Sequence, residues 1–159
     1  GTTLDTARLR YLISEKININ PKNIHAYVIG EHGDSEFVPW SNVNIALQNI
    51  ENFLPITSLD EICNNVKNAA YEIIDRKGAT CYGIGMCLVR ITNAILCDEH
   101  TVMTVSGYDK DNDVFVGLPY VLDKNGISRK IYINLNEEET KKLQISIDII
   151  KKAIAELEK

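Results

Sequence analysis

The chain has 159 residues, 45% hydrophobic and 25% charged, the size and make-up of one ordinary soluble domain. A fold of this length removes about 70% of its unfolded surface from water, so a hydrophobic core suffices and neither a metal nor a disulfide framework is required. Seventeen basic against 22 acidic side chains leave a net charge of −5, and the basic residues are scattered, which argues against nucleic acid or an anionic membrane as partner. The apolar runs break within a few residues, far short of the roughly 18 that a membrane span needs, and no segment reads as a signal peptide. Cys63, Cys81, Cys87 and Cys97 contain no CxxC pair and read as reduced core residues of a cytoplasmic protein. A zinc site built from them and a histidine would lack any familiar ligand spacing, so no metal is expected. The start Gly1-Thr2-Thr3, without methionine, fits a piece of a longer polypeptide, a processed terminus or a tag remnant.

Residues 3–15 place Leu9, Leu12 and Ile13 at helical spacing with Asp5 in the first turn, where a negative charge suits the helix dipole. Turn residues Asn20-Pro21-Lys22-Asn23 precede a β-rich run at 25–29. Then comes Gly30-Glu31-His32-Gly33-Asp34-Ser35, six residues with two glycines and no apolar side chain, before a second β-like run at 37–40. Loops of this kind carry chemistry more often than cores do. Ser58-Leu59-Asp60-Glu61 reads as a capping box opening a long amphipathic helix that Gly78 closes. Residues 82–96 are more uniformly apolar and predict a helix buried on most sides.

From Thr101 the period changes to two, predicting short strands at 101–106, 114–116, 120–122 and 130–134, with turns at 109–113 and 123–126. Asn136-Glu137-Glu138-Glu139 is a second capping box, opening a helix that runs to about Glu158. Helices and antiparallel strands are segregated and do not alternate, so the predicted class is α+β, antiparallel strands with long amphipathic helices.

Gly83-Ile84-Gly85 invites a dinucleotide reading, but Leu88 stands at the third glycine position and no strand precedes the motif. Close helix packing at small residues is the better account. His32 lies between acidic neighbours in the glycine loop, where it is either a surface histidine or a general acid and base. Asp5 and Arg8 are three apart and share a helix face. They form either an ordinary ion pair, worth about 0.3–0.5 kcal/mol when exposed, or a carboxylate that orients a histidine beside a guanidinium that forks onto a substrate carboxylate.

Leu4-Asp5-Thr6-Ala7-Arg8-Leu9-Arg10-Tyr11 together with Ile29-Gly30-Glu31-His32-Gly33-Asp34-Ser35 resembles the C-terminal, substrate-binding domain of the L-lactate dehydrogenase family, bacterial type. Lys77-Gly78-Ala79-Thr80, Val102-Met103-Thr104-Val105-Ser106 and Gly117-Leu118-Pro119 resemble later blocks of that family, so the resemblance covers essentially the whole of 1–159. It implies a lactate/malate dehydrogenase C-terminal-domain-like fold, and a separate N-terminal dinucleotide-binding domain outside these residues. It also implies interconversion of pyruvate and (S)-lactate with NAD in anaerobic glycolysis or fermentation, a cytoplasmic homotetramer, and an inactive domain when alone.

By the same resemblance His32 is the proton donor and acceptor, Asp5 its partner and Arg8 the clamp on the substrate carboxylate. Thr80 is a hydroxyl in the substrate pocket, and Ile84 packs on the nicotinamide, with plain core as its alternative. Arg10 and His25 resemble the fructose 1,6-bisphosphate site of allosteric bacterial members, shared by two subunits; the alternative is a solvated arginine and an ordinary strand histidine. Arg10 lies about 200° around the helix from Arg8 and so faces away from the clamp. Glu31 and Trp40 resemble lactate enzymes more than malate enzymes, and Asp34 departs from the L-2-hydroxyisocaproate branch. The mobile loop and polarising arginine that help choose the substrate lie outside this chain. A reading from another class is a stand-alone binding or assembly module that keeps the fold without catalysis.

Overall fold

Helix α1 spans Thr2–Ile17 in a computed structural model that describes residues 1–157. It buries Asp5, Leu9 and Ile13 on one face and ends at Asn18 in the left-handed conformation, whose N–H closes on the Ser14 carbonyl. The chain then forms three two-residue strands, β1 (Ile24–His25), β2 (Asn44–Ile45) and β3 (Gln48–Asn49), in one antiparallel sheet. Helices α2 (Ile56–Lys77) and α3 (Tyr82–Leu96) follow. Strands β4 (Thr101–Asp109), β5 (Val114–Asp123) and β6 (Gly126–Lys130) form a second antiparallel sheet, and α4 (Glu137–Leu157) comes last. The α+β class holds, with antiparallel pairing throughout the named strands.

Two hydrophobic clusters organise the molecule. One joins Leu9 and Ile13 of α1 to Ile24, Val28, Val43, Ile45 and Ile50 of the short-strand region and to Leu59, Ile62 and Val66 of α2. The other gathers Val114, Val116, Leu118 and Tyr120 of β5 with Ile29, Phe37 and Ile147 of α4. Burying such aliphatic side chains contributes about 1.5–3 kcal/mol each, so the segment 26–38, which feeds both clusters, is held from two sides.

Several expected boundaries move. The expected strand at 25–29 pairs only through Ile24–His25, and Ile29 then makes a single bridge to Phe37. Trp40 belongs to a 3-10 turn, Trp40–Asn42, so the run at 37–40 is not a strand. Helix α2 begins behind Pro55, whose carbonyl accepts the Ser58 and Leu59 N–H groups, and Ser58 caps nothing. The strands expected at 114–116 and 120–122 are one, because Gly117, Leu118 and Pro119 continue the β4 register opposite Ser106, Val105 and Thr104. β6 ends at Lys130, where the expected strand at 130–134 begins.

The capping box of α4 forms as expected: the Glu139 N–H donates to Asn136 Oδ1 and the Asn136 N–H donates to Glu139 Oε2. The end expected at Glu158 lies outside the described residues. Helix α3 contradicts its expected burial, since only Ala94 is buried while Tyr82, Met86, Leu88, Val89 and Leu96 are exposed. The cysteines are free as expected, but they are not core residues: Cys63 and Cys87 are half-buried, and Cys81 and Cys97 are exposed. Among the described residues no helix is long and apolar enough to cross a membrane.

Candidate active site

The loop that carries His32 is closed at its base and stapled to the sheet. Ile29 and Phe37 exchange backbone hydrogen bonds of 3.0 Å each way, and Gly30 and Gly117 exchange bonds of 2.8 and 3.1 Å. Gly30 adopts φ 101°, a left-handed conformation that favours glycine, and an added Cβ would lie 2.5 Å from Ser146 Oγ. Farther out, the Glu31 N–H donates to Ser146 Oγ at 2.5 Å and Ser35 Oγ donates to Glu31 Oε2 at 2.6 Å. A loop without apolar side chains thus gains its shape from hydrogen bonds to β5 and α4.

Threonines seat α1 against this frame. The Val28 N–H donates to Thr6 Oγ1 at 2.9 Å, Thr6 and Thr104 hydroxyls share a 2.8 Å hydrogen bond, and Thr3 Oγ1 donates to the Thr104 carbonyl at 2.6 Å. The first turn of α1 is thereby fixed beside the loop. Asp5, only 1% exposed, sits at the meeting point. Arg8 Nη1 donates to its Oδ1 at 3.0 Å, and His32 Nδ1 lies 2.8 Å from its Oδ2. The second contact is an ion-pair approach and not an aligned hydrogen bond, since Oδ2 has no hydrogen-bond partner among the described residues. Removing Arg8 leaves the Asp5 carboxylate buried without its one aligned hydrogen bond, which is destabilising.

The sequence reasoning missed two members of this site. Gly1 presses on the His32 ring, and a Cβ added there would lie 2.3 Å from His32 Cγ. Glu36, buried at 4% exposure, brings Oε2 to 3.5 Å from His32 Nδ1. Burial first, and the Asp5 carboxylate second, push the Glu36 carboxyl up from 4.5 to about 8. The signal for Glu36 was its i+4 spacing from His32; no signal in the sequence sets Gly1 against the ring. Asp5, His32 and Glu36 also form the one cluster of potential metal-ligating groups among the described residues. The thiols of Cys63 and Cys87 are raised by burial, which disfavours the thiolate that zinc would require.

Arg8 and Thr80 line one cavity of about 330 Å³ together with Arg76, Lys77 and Tyr82, so three cationic side chains border it. His32 lines a different cavity of about 370 Å³, with Gly30, Ser106 and Gly117; Asp5 is the link between the two. Ile84 is half-buried on α3 and does not line the cavity of Arg8 and Thr80. Gly83 and Gly85 lie inside α3 rather than in a turn between strand and helix, which removes the dinucleotide fingerprint. Arg10 points elsewhere: its Nε donates to the Ala26 carbonyl at 3.0 Å, its guanidinium lies 5.0 Å from the Tyr27 ring centroid, and exposed His25 is the residue before Ala26.

Comparison with known proteins identifies the family of the fold. Residues 2–159 match the family described as lactate/malate dehydrogenase, alpha/beta C-terminal domain. L-lactate dehydrogenase 1 of Bacillus cereus (strain ATCC 10987 / NRS 248) is 47% identical over 165 residues, covering 98% of this chain and 52% of that protein. A lactate dehydrogenase from a Medee basin deep-sea metagenome library superposes with a TM-score of 0.94 at 45% identity, over 100% of this chain and 54% of its own. The malate dehydrogenase of Cryptosporidium parvum gives 0.92 at 27% identity, over 99% of this chain and 54% of its own. The chain spans about half the length of the curated relatives it matches. On fold, family match and identity together, the chain belongs to the lactate/malate dehydrogenase C-terminal domain family.

Proposed function

We propose that this chain is the substrate-binding and catalytic domain of an NAD-dependent L-lactate dehydrogenase that interconverts pyruvate and (S)-lactate. The observation that carries the reading is the Asp5 carboxylate held between Arg8 at 3.0 Å and His32 at 2.8 Å, with Arg8 also on a cavity bordered by Arg76 and Lys77. That is an acid-base residue joined through one buried carboxylate to a cationic site for a small carboxylate substrate. The Arg8 guanidinium makes one hydrogen bond, to Asp5, among the described residues, which leaves donors for a two-pronged grip on the substrate carboxylate.

Because Nδ1 of His32 faces Asp5, Nε2 is the atom that gives the proton to the carbonyl oxygen in reduction and takes it back in oxidation. Asp5 holds the ring and stabilises its cationic form, and the imidazolium stabilises the developing alkoxide before protonating it. Thr80 presents its hydroxyl to the pocket. The chemistry that NAD supplies when bound is hydride transfer at the carbonyl carbon. Ile84 and the exposed apolar residues of α3 offer that cofactor an apolar surface, and the dinucleotide itself is assigned to a separate N-terminal domain.

The relatives' names favour lactate over malate, although a malate dehydrogenase shares the fold equally well; malate and L-2-hydroxyisocaproate remain the rival substrates. The wider reading is a cytoplasmic homotetramer of glycolysis or fermentation. Arg10 and His25 of paired subunits bind fructose 1,6-bisphosphate in it, which their shared edge beside Ala26 supports. The test is NADH oxidation with pyruvate, oxaloacetate and 2-oxoisocaproate, by the 159 residues alone and joined to a dinucleotide-binding domain. Pyruvate turnover by the joined protein alone is expected, with His32→Ala losing about 10²–10⁴-fold while keeping NADH affinity. Turnover by the isolated chain refutes the division of labour, and none by the joined protein favours a non-catalytic module.

A further inference from the structure

Asp5 Oδ2 and Glu36 Oε2 are both buried and both lack a hydrogen-bond partner among the described residues; they lie 2.8 and 3.5 Å from His32 Nδ1, and each of the three residues has a polar atom within 4.8 Å of the other two. One ring N–H cannot satisfy two buried carboxylates, and two ionised carboxylates at this range repel. The charges facing Glu36 do not resolve this. Arg8 on α1 is bonded to Asp5, and Lys67 on α2 spends its Nζ on the Asp34 carbonyl at 2.9 Å; both draw the Glu36 carboxyl down, but less than burial and Asp5 push it up. Cys63, also on α2, is a thiol raised by burial. The inventory is one proton short.

We propose that Glu36 is a positioning residue of this site, carrying a proton on its carboxyl and donating it to Asp5 Oδ2, so that His32 faces one negative charge and a fixed partner. This rests on the reading of His32 as proton donor and Asp5 as its partner. The shared proton closes both orphaned atoms and leaves Asp5 Oδ1 to Arg8. The upward displacement of the Glu36 carboxyl to about 8 agrees with it. A divalent cation at the same three groups requires both carboxylates ionised, so it excludes the shared proton. As pH rises through 8, Glu36 ionises, the hydrogen bond to Asp5 is lost and a second negative charge appears beside His32.

The experiment uses the chain carried in the protein joined to its dinucleotide-binding domain, as wild type, Glu36→Gln and Glu36→Ala. Carbon-13 carboxyl NMR follows Glu36 itself, assigned by its loss in Glu36→Gln, and a midpoint near pH 8 is expected. In pyruvate reduction Glu36→Gln, which keeps a neutral donor, retains turnover within about twofold at pH 6.5 but lacks the inflection near pH 8 seen in wild type. Glu36→Ala loses about tenfold in kcat with NADH affinity unchanged. A Glu36 midpoint in the ordinary carboxylate range, or superimposable pH profiles of wild type and Glu36→Gln, overturns the proposal. So does Zn²⁺ binding abolished by Glu36→Gln. A protein that reduces no 2-oxo acid refutes the function proposed above, while the carboxyl resonance still decides where the proton sits.

Discussion

Replacing Glu36 with glutamine should change how stability depends on pH, and the size of the change follows from the site. In the unfolded chain this carboxyl releases its proton near 4.5, whereas burial and the Asp5 carboxylate raise it to about 8 in the folded protein. A group with its folded value raised contributes stability that is fully present below the unfolded value and is lost as pH rises through the folded one. Between those limits the folded state binds one more proton than the unfolded state, so unfolding free energy falls by about 1.4 kcal/mol per pH unit. The total is on the order of 5 kcal/mol across the window, a large fraction of a typical domain's stability of about 5–15 kcal/mol. Glutamine has no proton to lose at this position, so the Glu36→Gln curve lacks that slope while every other titration stays common to both proteins. Urea unfolding at half-unit steps from pH 5 to pH 9 measures the difference. A constant gap between wild type and Glu36→Gln over that range would refute the placement of a neutral carboxyl in the folded site.

Arg8→Lys should weaken pyruvate binding by about 1.5–3 kcal/mol, because a point charge replaces a planar fork; the pyruvate KM measures it, and a near-normal value contradicts the clamp. Arg10→Gln should abolish any tightening of pyruvate binding by fructose 1,6-bisphosphate, since it removes the guanidinium presented beside Ala26; saturation curves with and without the effector decide, and an unchanged shift places the effector elsewhere. Glu139→Ala should cost about 1–3 kcal/mol. It removes the acceptor for Ser41 N–H, Ser41 Oγ and Asn136 N–H at 3.0, 2.6 and 3.1 Å, and thermal unfolding reads the loss.

Local rules determined much of this protein. The i, i+3 pair Asp5 and Arg8, the Asn136–Glu139 capping box and the two long helices each depend on residues within about one turn of one another, and all form as their spacing requires. His32 stood out because glycines and acids surround it in a loop with nothing to bury. The boundaries that moved depend on partners distant in sequence. β5 runs through Gly117 and Pro119 because β4 supplies a continuous ladder. The β2–β3 turn holds Ala46 and Leu47 at φ 49° and 67°, where no glycine or asparagine announced it. Helix α3, apolar enough to predict burial, exposes most of its face in this chain, because hydrophobicity says that a surface seeks cover and not which surface covers it.

The site shows the same division. Sequence alone singled out Asp5, Arg8 and His32 as candidates, but the residues by themselves left an ordinary ion pair and a surface histidine open, and their roles came from the family resemblance. Only tertiary structure decided that Gly1 packs on the imidazole and that Glu36 turns inward, buried beside His32 and Asp5. Whether a carboxyl titrates at 4.5 or about 8 depends on how much water and which charges surround it, and that is set by the packing of α1 and α2 around the loop rather than by the residues adjacent in the chain.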